Sequence, residues 1–267
     1  MDHLLAPDPA LGVFATMLVV DGAPIEFDPH LAQLDASVRA LYGAELPAAA
    51  ARLVRERARG TALGRVRLSY TPCAGAPRLD AVARAVDPAI VLPGWDDALD
   101  LRAATVDGWH GAHKWADRRL LERLEAGAAP AGALLVEPDG RVLETTRANV
   151  FALGRDGVLR TPPADGAILP GTTRAVVIAI ARTAGIAVRE ERLEAGALWA
   201  AREVFTSGSV RGVEPVRSLD GVAIGGWGEA TAAVAEALRR RWLDGGAHAD
   251  VSSRLGDGRF SKLAAGD

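Results

Sequence analysis

Lys114, in the run His113-Lys114-Trp115-Ala116-Asp117-Arg118-Arg119, is one of two lysines among the 31 Lys and Arg residues of a 267-residue chain. The other, Lys262, stands near the C-terminus. The chain places almost all of its positive charge on arginine, so the lysine kept here offers a different chemistry. A desolvated amine can release its proton near neutral pH and condense with a carbonyl, whereas a guanidinium does neither. Trp115 and Ala116 follow directly, and Leu120, Leu121 and Leu124 continue at helical spacing. The stretch is therefore not a solvated basic run, and Lys114 is expected on a helix. An exposed lysine without a role is the ordinary alternative.

Three further stretches carry groups that suit one ligand. Glu144, in Leu143-Glu144-Thr145-Thr146-Arg147-Ala148-Asn149-Val150-Phe151, ends a predicted strand with apolar residues on both sides. Leu169-Pro170-Gly171-Thr172-Thr173-Arg174 opens a predicted helix, whose first amides and dipole make a ready phosphate site. The turn Ser207-Gly208-Ser209 in Phe205-Thr206-Ser207-Gly208-Ser209-Val210 can supply hydroxyls to its other side. Taken singly, each has a plain explanation: a solvated carboxylate, a helix cap, a small-residue turn. His110 and His113 form an i, i+3 pair with no third ligand at sensible spacing, so no metal is expected. Cys73, beside Pro72, reads as packing.

The elements that must position these groups follow from periodicity. Gly12 to Val20 predicts a strand, Asp21-Gly22 a hairpin turn, and Pro24 to Phe27 the returning strand. Asp28-Pro29 reads as an N-cap and first helical position, with Leu31, Leu34, Val38 and Leu41 behind it and Gly43 at the end. A second helix is predicted over 47–59, strands over 65–70 and 79–91, and a crossover between domains over 93–111. Beyond the Lys114 helix, strands are expected at 133–137, 141–144, 149–153 and 158–161. Next come a helix from Thr172, a strand at 186–190, a short helix at 193–201 and strands at 203–206 and 213–216. A hairpin at 219–222 and an amphipathic helix over 227–242 complete the series. The fold class is α+β, with an N-terminal α/β domain over 1–108, a C-terminal α/β domain over 109–245 and a loosely ordered polar tail over 246–267.

Composition narrows the function classes. A net charge of −3 argues against a general nucleic-acid binder. A single cysteine excludes an intrachain disulfide. The start Met1-Asp2-His3-Leu4-Leu5 has no basic segment followed by a long apolar run, and no apolar run is long enough to span a membrane, so a cytoplasmic protein is expected.

In this order, Lys114, the Glu144–Phe151 run, the Leu169–Arg174 turn and the Phe205–Val216 stretch resemble the class IV pyridoxal-phosphate enzymes. That group holds branched-chain and D-amino-acid aminotransferases and 4-amino-4-deoxychorismate lyases. The resemblance covers about Gly12 to Val222. It implies two α/β domains of fold type IV with pyridoxal 5′-phosphate between them, a homodimer, and a small-molecule amine substrate bearing a carboxylate. It implies that Lys114 is the Schiff-base lysine, that Glu144 faces the pyridine nitrogen and that Leu169 packs on the ring. It further implies that Thr172, Thr173, Ser209 and the Val210 amide bind the phosphate. Ser209-Val210-Arg211-Gly212 resembles a run of some aminodeoxychorismate lyases, so Arg211 either meets a substrate carboxylate or pairs with Glu214.

The chain departs from the family twice. Gln33 stands where the family's His-x-x-Arg-Leu segment has a phosphate-binding Arg. Arg119 stands five residues after Lys114, where branched-chain enzymes carry a Tyr. The reaction favoured is the lyase one, yielding 4-aminobenzoate and pyruvate. The alternatives are a transaminase of an amino acid or amine, and a non-catalytic family member that binds an acidic metabolite.

Overall fold

The structure is a computed structural model that describes residues 6–244; the tail expected over 246–267 lies outside them. Two sheets organise the chain. The first has the order β2-β1-β3-β4, built from β1 (Val13–Val20), β2 (Ala23–Pro24), β3 (Leu63–Thr71) and β4 (Arg78–Ala85). All its pairings are antiparallel, and β1 meets β3 along its whole length, from Val13↔Tyr70 to Val20↔Leu63. Helices α1 (Phe27–Tyr42) and α2 (Ala49–Ala58) cover one face. Val13, Ala15, Met17 and Val19 of β1 pack there with Leu34, Val38, Val54, Val66 and Leu68. The alternate β1 residues Leu18 and Val20 enter a different core, with Phe151, Phe205, Val177 and Trp242. That is why β1 reads as one continuous apolar run: it is buried on both faces.

The second sheet runs β10-β9-β8-β12-β13-β5-β6-β7-β11, with β14 beside β13. Its strands are β5 (Leu99–Thr105), β6 (Gly132–Val136), β7 (Arg141–Thr145), β8 (Asn149–Leu153) and β9 (Leu159–Thr161). The rest are β10 (Val188–Glu190), β11 (Leu193–Glu194), β12 (Glu203–Gly208), β13 (Gly212–Leu219) and β14 (Val222–Ala223). Helices α3 (Arg119–Ala128), α4 (Thr172–Thr183), α5 (Ala195–Ala200) and α6 (Glu229–Arg239) join and cover them, with a π turn over Arg240–Asp244. β7 and β8 are separated in the sheet by four strands, yet only Thr146, Arg147 and Ala148 connect them in the chain. Three residues span little more than about 10 Å, so the sheet must curl until its β7 side closes on β8. Phe151 of β8 stacks on Phe205 of β12 at 5.0 Å between ring centroids, on the face packed against α4 and α6.

Several expectations need correction. The stretch 93–111 is not a plain crossover, because β5 lies within it and pairs in parallel with β13 and β6. The two sheets therefore divide between Ala85 and Leu99, and a boundary at 108 would strip β5 from its own sheet. The returning strand after Asp21-Gly22 is only Ala23–Pro24, and α1 begins at Phe27, ahead of the expected Asp28 cap. Lys114 does not stand on a helix; α3 starts five residues later. Cys73 is exposed rather than packed.

Candidate active site

Lys114 lies in an extended segment clipped to the start of β1. The Phe14 amide donates to the Lys114 carbonyl at 2.9 Å, and the Ala116 amide donates to Gly12 O at 2.9 Å. Trp115 bridges to Val13, is buried in the first core and donates its indole N–H to His110 O. The backbone on both sides of the lysine is thus fixed by residues about a hundred positions away. Gly12 is required for this: its φ is +87°, and a Cβ there would sit 2.0 Å from Tyr70 O. The stem of Lys114 is half-buried, but its amine lies deep, 5.3 Å from the Phe14 ring centroid. Burial pushes the amine down to about 8, helped by the nearby charges of Arg118 and Arg67.

Glu144, near the end of β7, is 7% exposed. Its Oε2 accepts from Asn149 Nδ2 at 3.2 Å and from the Leu169 amide at 3.2 Å, and its Oε1 accepts from Trp109 Nε1 at 3.4 Å. Burial raises the carboxyl to about 7, against the lowering effect of the Leu169 and Trp109 donors and of the charges on Lys114 and Arg118. Asn149 also donates to Leu169 O at 2.9 Å, tying β8 to the segment that leads into α4.

One cleft, of about 690 Å³ including its open mouth, joins these groups. Its wall includes Lys114, Glu144, Leu169, Thr172, Thr173, Ser207 and Ser209. The first amides of α4 have no intrahelical acceptor, and its N-cap, Gly171, offers no side chain. The hydroxyls of Thr173 and Ser207 are buried without a hydrogen-bond partner among the described residues. His30 of α1 places Nδ1 3.3 Å from Thr172 Oγ1, and burial drives this imidazole down to about 3, so it is neutral.

The family model for class IV amino-transferases matches residues 12–219. The chain belongs to that family. Over 92 residues it is 41% identical to the branched-chain-amino-acid aminotransferase of Escherichia coli strain K12. That stretch is 34% of this chain and 29% of the length of the curated relative. Among solved structures, 4-amino-4-deoxychorismate lyase from Pseudomonas aeruginosa superposes with a TM-score of 0.76 at 23% identity, covering 90% of this chain and 95% of that one. A hypothetical aminotransferase from Mycobacterium tuberculosis in a PLP-bound form gives 0.76 at 24% identity, covering 91% and 94%. At these identities the two structures speak for the fold.

Within this class IV chain, the residues singled out from sequence do not all converge. Lys114, Glu144, Leu169, Thr172, Thr173 and Ser209 share the cleft. The Val210 side chain packs against the main core instead. Arg211 is spent on Glu214, which accepts from both its Nε and Nη2, and it is not part of the cleft wall. Gln33 does reach the wall, where Nε2 donates to Pro170 O at 2.6 Å. Arg174 lines the cleft too, but its Nη2 donates to Pro162 O and Glu190. Arg119 is exposed and bound to Asp117, whose carboxyl it holds far below the usual range. Among the described residues no group of three His, Cys, Asp or Glu is arranged to hold a metal. No described helix is long and apolar enough to cross a membrane.

Sequence reasoning gave no role to Trp109, Asn149 or Arg118, all on the wall. Asn149 carried a usable signal, a polar residue opening an otherwise apolar strand, Asn-Val-Phe-Ala-Leu. Trp109 carried none, because its contact with Glu144 crosses 35 positions.

Proposed function

We propose that this chain is a pyridoxal-phosphate-dependent enzyme acting on a small primary amine that bears a carboxylate. Its reaction is inferred to be the lyase step from 4-amino-4-deoxychorismate to 4-aminobenzoate and pyruvate. The observation that carries the reading is the Lys114 amine and Glu144 carboxylate buried in one cleft, both titrating near neutrality. The buried, unpartnered hydroxyls of Thr173 and Ser207 fit a phosphate, since each costs free energy until an acceptor arrives. The PLP-bound form of the M. tuberculosis neighbour supports the same cofactor.

In this reading the α4 amides at Thr172 and Thr173, with Ser209 and the Val210 amide, would hold the phosphate, Leu169 would pack on the ring and Glu144 would face the ring nitrogen. When bound, the cofactor supplies a covalent hold on the substrate nitrogen and a sink for the electrons of the carbon that bears it. Lys114 provides the attaching amine, and a value near 8 leaves roughly a tenth of it neutral at pH 7. Displaced by the substrate, Lys114 Nζ takes the proton from the nitrogen-bearing carbon and returns one to the departing enolpyruvyl group. Glu144, kept from rotating by Trp109, Asn149 and the Leu169 amide, presents a carboxylate of fixed direction.

The lyase is favoured over a branched-chain transaminase by Arg119, which leaves no phenol five residues after Lys114. The near-equal extent of the P. aeruginosa lyase supports it too. The transaminase is the second reading, supported by the identity to the E. coli enzyme; there Lys114 Nζ would deliver the proton to the cofactor carbon. Incubation with aminodeoxychorismate, and separately with amino acids plus 2-oxoglutarate, separates the two. Absence of 4-aminobenzoate from the first ends the lyase reading. Both readings require a near-ultraviolet or visible absorbance band after cofactor addition, lost in Lys114→Arg; a variant that keeps the band rejects both.

A further inference from the structure

We propose that Arg118 recognises the carboxylate of the substrate and is held in reserve for it by a shared ion pair, an inference that rests on the amine-binding reading above. Arg118 lines the cleft beside Lys114 and Thr146, with its side chain 20% exposed. It donates only through Nη2, to Thr146 O at 3.0 Å and Glu125 Oε1 at 3.2 Å. Its Nε and Nη1 groups have no partner among the described residues. Glu125 is already held by Arg147, which donates to both of its oxygens at 2.9 and 2.6 Å. The Arg118–Glu125 contact is therefore the longer of two competing pairs, and Glu125 stays neutralised when Arg118 turns away.

The surroundings favour an incoming anion. Arg67 of β3 stacks on Phe14 with Cζ 3.6 Å from the ring centroid, on the same ring that Lys114 approaches. It is half-buried and makes no ion pair among the described residues. Arg67 and Arg118 lie close enough that Arg118 lowers the proton affinity of Arg67 and each lowers that of Lys114. Lys114, Arg67, Arg118 and Arg147 thus face the carboxylates of Glu125 and Glu144, with Glu122 a further, exposed one on α3. In a chain of net charge −3 this is a local excess of positive charge. Once Arg118 turns from Glu125, one Nη2 hydrogen is free to join Nε or Nη1, the two edges on which a guanidinium takes a carboxylate bidentately. Arg211, committed to Glu214, offers no such edge.

The test uses the full chain loaded with pyridoxal phosphate, with benzoate and the uncharged isostere benzamide as probes. Binding is followed by calorimetry, and the cofactor band serves as a check on the site. Benzoate is expected to bind wild type more tightly than benzamide. It should lose at least tenfold in Arg118→Met, recover part of that in Arg118→Lys, and bind severalfold more tightly in Glu125→Gln, where Arg118 is released. Benzamide should be unmoved throughout. Equal benzoate affinity in wild type and a band-forming Arg118→Met overturns the assignment. If Arg118→Met does not fold, Glu125→Gln decides alone, and no gain for benzoate there overturns it equally. Failure of wild type to form the cofactor band sinks the proposed function instead, so the two failures are distinct.

Discussion

Lys114 and Glu144 share a cleft in which burial works against both of their charges, bringing the amine to about 8 and the carboxyl to about 7. Only the neutral amine can attack a carbonyl, so protonation below its pKa removes the nucleophile. The rate of cofactor attachment, followed by absorbance, is expected to fall about tenfold per pH unit below 8 and to level off above it. A flat profile from pH 6 to 9 would mean that the amine is not the titrating group. Gln33 supports a second prediction. It reaches the cleft wall but donates to Pro170 O, and among the described residues no guanidinium replaces it at the hydroxyl-rich end, since Arg174 is committed to Pro162 O and Glu190. Gln33→Arg should tighten the cofactor by about tenfold or more, the range of a charge-assisted hydrogen bond of about 1.5–3 kcal/mol. An unchanged Kd in a cofactor titration would place the phosphate elsewhere.

Among the elements, the segment that carries Lys114 and the one that leads into α4 cross in direct backbone contact. A Cβ on Gly111 would lie 2.3 Å from Ala167 O and 2.7 Å from Ile168 Cα, and backbone cannot yield as a flexible side chain does. Gly111→Ala is expected to cost about 1–3 kcal/mol in a denaturant titration and to weaken cofactor binding, because it parts Lys114 from Leu169. Wild-type stability in that variant would show that the crossing is loose. The strand β5, within a stretch expected to be a crossover, shows where element-level reading stopped. Leu99-Asp-Leu-Arg-Ala-Ala-Thr offers two leucines and no β-branched residue before its last position, so its alternation was too faint to compete. The pairing with β6 and β13 supplies what its own residues do not.

For the molecule as a whole, the site belongs to both sheets at once. From the first come His30 and Gln33 of α1, and β1, which clips the Lys114 segment; from the second come Glu144, Asn149, α4 and the β12–β13 turn. A ligand that binds only this assembled form stabilises it by mass action. Pyridoxal phosphate at a hundredfold over its Kd should add about 2.7 kcal/mol. That corresponds to a rise of several degrees in Tm. Because both sheets build the site, the rise should appear as one transition by near-ultraviolet and far-ultraviolet probes alike. A shift confined to one of two separate transitions would show that the cofactor engages only one sheet.

The amino-acid sequence by itself settled the chemistry available. A lysine kept in an arginine-rich chain, a carboxylate set among apolar residues and a Gly-Thr-Thr helix start were legible because residue type and local periodicity report on what a group can do and on short-range structure. The α+β class was legible for the same reason, while the two α/β domains came from the family resemblance. The tertiary structure alone decided which groups meet. Lys114 left its expected helix because its neighbours bond to β1 a hundred residues away. Arg211 turned to Glu214, while Arg118, unremarked in the sequence, came to line the cleft. Distances set by strand order and by a sheet that curls on itself are not written in any local window, since they depend on which apolar faces find each other when the whole chain packs.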